Sequence, residues 1–139
     1  MTDPSLNIAM QNGIAEVGGR FEGRIIRSPE LDDLAPQTQP VRAVQLLLRF
    51  WTEGRGREDS RDTAWVEFPV DQYGRLDVGF ALAVPPAGPI SYDGRLIRVL
   101  WEIQATVDVK YQLDRKLYVP VLVIPRGGWG HYHAPHPLR

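Results

Sequence analysis

The sequence predicts an all-β fold, a two-sheet antiparallel β-sandwich of about seven strands. Three observations carry that prediction. Apolar residues recur at every second position in several long runs, turn signals separate those runs, and 13 glycines and 12 prolines leave few windows for a long helix. The 139 residues, 43% hydrophobic and 24% charged, suit a single soluble domain able to bury a core.

The longest run follows the loop "PPAGPISYDG". From Leu96 onward, Ile97, Val99, Trp101, Ile103, Ala105, Val107 and Val109 point one way, and Arg98, Glu102, Gln104, Thr106 and Asp108 the other, because successive strand side chains alternate between faces. One face is core and the other wet. In "RLDVGFALAV", Leu76, Val78, Phe80, Leu82 and Val84 share a face, and the small Gly79, Ala81 and Ala83 on the other side suggest close packing there. In "VRAVQLLLRF", Val44, Leu46, Leu48 and Phe50 form the core face; in "TAWVEFPV" Val66, Phe68 and Val70 do. Pro69 marks a strand end or sheet edge, and Pro120 in "LYVPVLVIP" an unpaired edge, since proline donates no ladder hydrogen bond. Phe21 and Ile25 flank Gly23 in an early strand, and Ile14 to Val17 adds a short opening one. Residues 1–12 read as an N-terminal extension, 13–125 as the sandwich and 126–139 as a Gly/Pro/His-rich tail.

Composition excludes several functions. With 16 basic and 17 acidic residues and a net charge of -1, no global field favours nucleic acid. The absence of cysteine removes disulfides, thiolate nucleophiles and sulfur-rich zinc sites. The N-terminus lacks the pattern of a secretory signal and no apolar run reaches membrane-spanning length, so a cytoplasmic protein without an integral membrane segment is expected.

The sequence holds no nucleophile elbow, phosphate loop, HExxH or dinucleotide fingerprint. Glu102 and Asp108 lie six residues apart on one strand, roughly 20 Å, too far for a paired-carboxylate site. Asp32-Asp33 falls in a proline-flanked loop and reads as a solvated turn. No catalytic residue and no cofactor is assigned. His131, His133 and His136 in "PRGGWGHYHAPHPLR" are the candidate metal ligands, able to close on Zn, Cu or Ni through their imidazoles; the alternative is a terminus that packs nothing. Trp129 and Tyr132 in the same tail are candidate partner contacts, because docking removes the solvation cost of large aromatics. The mixed charges of "TEGRGREDSRD" read as a solvated hairpin tip.

Trp51 and Trp65 face away from the core sides of their strands. Together with Leu47 and Leu100 they predict an apolar patch on one exposed sheet face, to be covered by a partner, a second copy or a loop.

One family fits the pattern. Pro85, Pro86, Pro89, Ser91, Gly94, Ile97, Trp101, Ala105 and Asp108 form a strand ending in Pro-Pro, a loop with Ser and Gly, then a long strand with an aromatic. That succession resembles the N-terminal sandwich of the arrestin family and its bacterial sporulation-control relatives. Gly19, Phe21, Gly23 and Ile25 resemble the family's opening strand, and Phe80, Leu82 and Val84 its strand leading into the prolines. The resemblance spans Gly13 to Pro125 and implies an arrestin- or immunoglobulin-like sandwich working as an adaptor or scaffold without catalysis. It implies a protein partner, a second copy of the chain included. Family members carry two such sandwiches and this chain one, so no phosphate-binding residue is carried over. A ligand-binding sandwich stacking carbohydrate on exposed tryptophans, and a metal carrier working through the histidine tail, are the alternatives.

Overall fold

A computed structural model describes residues 4–31, 41–54, 58–109 and 114–128. Among them the chain forms nine strands: β1 (Leu6–Met10), β2 (Ile14–Glu16), β3 (Arg20–Arg27), β4 (Val41–Gly54), β5 (Ser60–Pro69), β6 (Leu76–Ala83), β7 (Tyr92–Asp93), β8 (Ile97–Val109) and β9 (Arg115–Ile124). They make two sheets. The smaller has the order β1-β3-β6, and the larger β2-β9-β8-β4-β5 with the two-residue β7 also on β8.

The expected about seven strands are thus nine. β7 lies inside the loop after the prolines, where two residues are too few for an alternation to show. β1 falls in the stretch read as an N-terminal extension, yet it pairs with β3 from Leu6↔Arg27 to Met10↔Gly23. Its Ile8 and Met10 pack on the core, and Leu6 is buried within it.

Two long antiparallel strands build the larger sheet: β4 and β8 run in register from Val41↔Val109 to Gly54↔Ile97. Their alternation turns Val44, Leu46 and Leu48 of one, and Ile103, Ala105 and Val107 of the other, into the space between the sheets. Phe21 and Ile25 of β3 and Phe80 and Leu82 of β6 fill it from the other side. Trp101 is buried there, its ring centroid 4.9 Å from that of Phe50 and its indole N–H donating to the Pro89 carbonyl at 3.2 Å. That bond ties the proline loop down as it carries the chain from β6 in one sheet to β8 in the other.

Two side-chain expectations are corrected. Ile97 is 48% exposed rather than core, because it begins β8 at the sheet's end opposite Gly54, which offers no side chain to cover it. Gly79, Ala81 and Ala83 are exposed rather than closely packed. The close approach is instead at Gly23, where a Cβ would lie 2.8 Å from the Phe80 ring and 2.5 Å from the Ala9 carbonyl oxygen. Pro69 ends β5, the edge of the larger sheet, and Pro120 lies in the part of β9 ahead of its pairing with β2 at Leu122–Ile124.

Candidate functional site

The outward face of the larger sheet carries the candidate site. Register arranges it in rows across four strands. In one row Tyr118 of β9, Gln104 of β8, Leu47 of β4 and Trp65 of β5 stand side by side. The next row toward the loop end holds Pro120, Glu102, Arg49 and Asp62, and the one after it Leu100, Trp51 and Ser60. A register shift between Leu48 and Arg49 keeps both Trp65 and Asp62 outward.

Leu47, Trp51, Trp65 and Leu100 therefore share one sheet face, as their positions in the strands predicted. Their exposure differs. Trp65 is 59% and Tyr118 49% exposed, whereas Leu47, Trp51 and Leu100 are half-buried. Tyr118 was missed as a site residue. Its signal was its spacing of two from Pro120 and Lys116, but only the pairing of β9 with β8 brings it onto the same face as the tryptophans. Trp129, Tyr132, His131, His133 and His136 lie outside the described residues, as do Asp32 and Asp33.

Trp51 stands as a wall between two depressions. Its indole N–H donates to the Glu53 carboxylate at 2.9 Å, and the Arg49 guanidinium lies 5.8 Å from its ring centroid, within cation–π range. On one side a groove of about 560 Å³ runs past Leu100, Tyr92, Pro120 and Leu122. Arg98 borders it, held by Asp93 at 3.0 Å and Glu53 at 3.2 Å. On the other side a cleft of about 470 Å³ is polar, lined by Arg49, Glu102, Glu58, Asp59 and Ser60.

The charges between them are partly shielded. Arg49 Nη1 lies 3.5 Å from Glu102 Oε1, and their side chains keep only 26% and 13% of their exposure. The strand side expected to be wet is thus covered at Glu102. Burial pushes the Glu102 carboxyl above its ordinary value, and the Arg49 charge opposes that rise. Arg49 Nε is buried with no hydrogen-bond acceptor.

Among the described residues no group of three or more His, Cys, Asp or Glu is placed to hold a metal ion, and no helix is long and apolar enough to cross a membrane. What the face can do is present aromatic and apolar surface framed by fixed charges.

A scan against protein-family models and a search of curated proteins each gave no match. Among solved structures, the chain is similar to Spo0M, the sporulation control protein from Bacillus subtilis, with a TM-score of 0.64 and 13% sequence identity. The match covers 88% of this chain and 50% of that one, so the chain spans about half the length of the structure it resembles. At that identity the likeness is one of fold. The succession of the Phe21 strand, the Phe80 strand, the proline loop and the Trp101 strand therefore builds what the resemblance implied, an arrestin-like β-sandwich.

Proposed function

We propose that this chain is a non-catalytic adaptor or scaffold domain that binds a protein partner through the outward face of its larger sheet and the neighbouring sheet edges. The observation that carries the reading is the row Tyr118, Gln104, Leu47 and Trp65, with an exposed aromatic at each end. Large aromatics on the surface are favoured where a partner removes them from water, and Trp and Tyr are enriched in protein interfaces. The name of the similar structure, a sporulation control protein, is in keeping with a regulatory rather than a catalytic role. A bacterial, cytoplasmic setting belongs to the same proposal.

A second reading has one observation in its favour. The groove beside Trp51 is large enough for a small ligand, and an indole flanked by Tyr92 and Arg98 suits a sugar ring or another flat polar molecule. The exposed aromatics at both ends of the Tyr118 row lie outside that groove, so the protein-binding reading accounts for more of the face.

The test is site-directed photocrosslinking in the cells that make the protein. Benzoylphenylalanine at Trp65 or Tyr118 is expected to give a discrete protein adduct, and the same probe at exposed Arg24 on the smaller sheet to give none. Adducts of equal yield at all three positions, or none at Trp65 and Tyr118, would overturn the proposal.

A further inference from the structure

The outward face is not only exposed; its rows are complementary to themselves. Consider a two-fold axis lying between two such faces, parallel to the strands and above the seam between β4 and β8. It places β9 of one copy over β5 of the other and β8 over β4, keeping each row level with its own counterpart.

The side chains then meet as opposites. Tyr118 comes over Trp65 of the second copy, and Leu100 over its Trp51. Lys116, exposed on β9 in register with Thr106, comes over Glu67, which is exposed on β5 at the other end of the same row. Glu102 comes over Arg49 of the second copy. In the Lys116 row the base lies on the β9 side of the seam and the acid on the β5 side, and in the next charged row Glu102 lies on the β8 side with Arg49, and Asp62 beyond it, on the other, so the axis sets Lys116 against Glu67 and Glu102 against Arg49. The other in-plane axis, across the strands through the Trp65 row, would set Glu67 near Asp62 and stack acid on acid. A two-fold interface must be complementary to itself in this manner, residue i meeting j and j meeting i.

We infer that the partner of this face is a second copy of the chain, bound as a face-to-face dimer in which Lys116 pairs with Glu67 and Tyr118 with Trp65 of the other copy. The inference rests on the reading of the outward face as an interface and names its occupant. The packing is that of two aligned sheets laid face to face. Unlike charges at the rim set register and exclude wrong orientations.

Sedimentation equilibrium on the full chain tests it with two surface substitutions, Lys116→Glu and Glu67→Lys. The parent is expected to be a dimer. Each variant alone sets like charges together at both rims and is expected to dimerise about tenfold more weakly or less. An equimolar mixture restores both pairs, so it is expected to recover the parent's affinity, as is a chain carrying both substitutions. Because both residues are exposed, circular dichroism of the variants should match the parent, which separates lost association from lost folding. A parent that stays monomeric at its highest soluble concentration, a dimer indifferent to both substitutions, or weakening without rescue on mixing would overturn the inference. A monomeric chain that still crosslinks to a different protein from Trp65 would sink self-pairing alone and leave the interface reading standing.

Discussion

Glu102 is the residue where the outward face departs most from an ordinary strand surface. With only 13% of its side chain exposed, burial makes its carboxyl hold a proton more firmly than the usual 4.5, although Arg49 3.5 Å away opposes that rise. Between that value and the raised one, the folded chain binds more protons than the unfolded chain, so this group's contribution to stability falls as pH rises through the window. Glu102→Gln removes the titration. Urea unfolding of parent and variant from pH 4 to pH 8 is therefore expected to show the variant gaining relative stability as pH rises through the window that starts near 4.5. A difference that stays constant with pH would rule this out. Glu30 titrates with the opposite sign: a backbone hydrogen bond and then Arg75 hold it below its ordinary value, but it is present in both proteins and cancels. The pattern of single residues in the sequence identified Glu102 as outward. It did not identify it as shielded, because the shielding comes from Arg49 on another strand 53 residues away.

At the scale of elements, the long strands and the short β2 were legible, and β1 and β7 were not. β4, β6 and β8 alternate over eight or more residues, enough for the period of two to stand clear of chance. β7 has two residues, and β1 sits in a stretch whose Leu6, Ile8 and Met10 alternate over five residues. The loop before β8 shows what such short pieces do. Ser91, 2% exposed, donates its backbone N–H to the Val123 carbonyl at 2.7 Å and accepts the Val123 N–H on its hydroxyl at 2.8 Å. This two-way bond clamps the proline loop to β9 and forms one wall of the groove beside Trp51. Ser91→Ala leaves the buried Val123 N–H without that acceptor and is expected to lower the unfolding free energy by about 1–3 kcal/mol, measured by chemical denaturation. A loss below about 0.5 kcal/mol, the range of ordinary surface changes, would mean the clamp is not needed.

For the whole molecule, the core joins the two sheets into one unit. Leu46 is 0% exposed and belongs to the same buried cluster as Phe21, Ile25 and Leu82 of the smaller sheet. Leu46→Ala is expected to cost about 2–5 kcal/mol and to move the backbone circular dichroism and tryptophan fluorescence midpoints together, as two-state unfolding requires. Separate shifts would show that the sheets unfold independently. By itself the sequence determined the class of fold, the core faces of the long strands and the outward direction of Leu47, Trp51, Trp65 and Leu100. These follow from local alternation, since a strand's two faces are set by chain stereochemistry within a few residues. Only the tertiary structure decided which strands are neighbours, and with that the row joining Tyr118 to Trp65, the groove beside Trp51, the shielding of Glu102 and the opposed charges of Lys116 and Glu67. Those depend on pairing between segments dozens of residues apart, and register across a sheet is set by the packing of the whole core rather than by the pattern of any one strand.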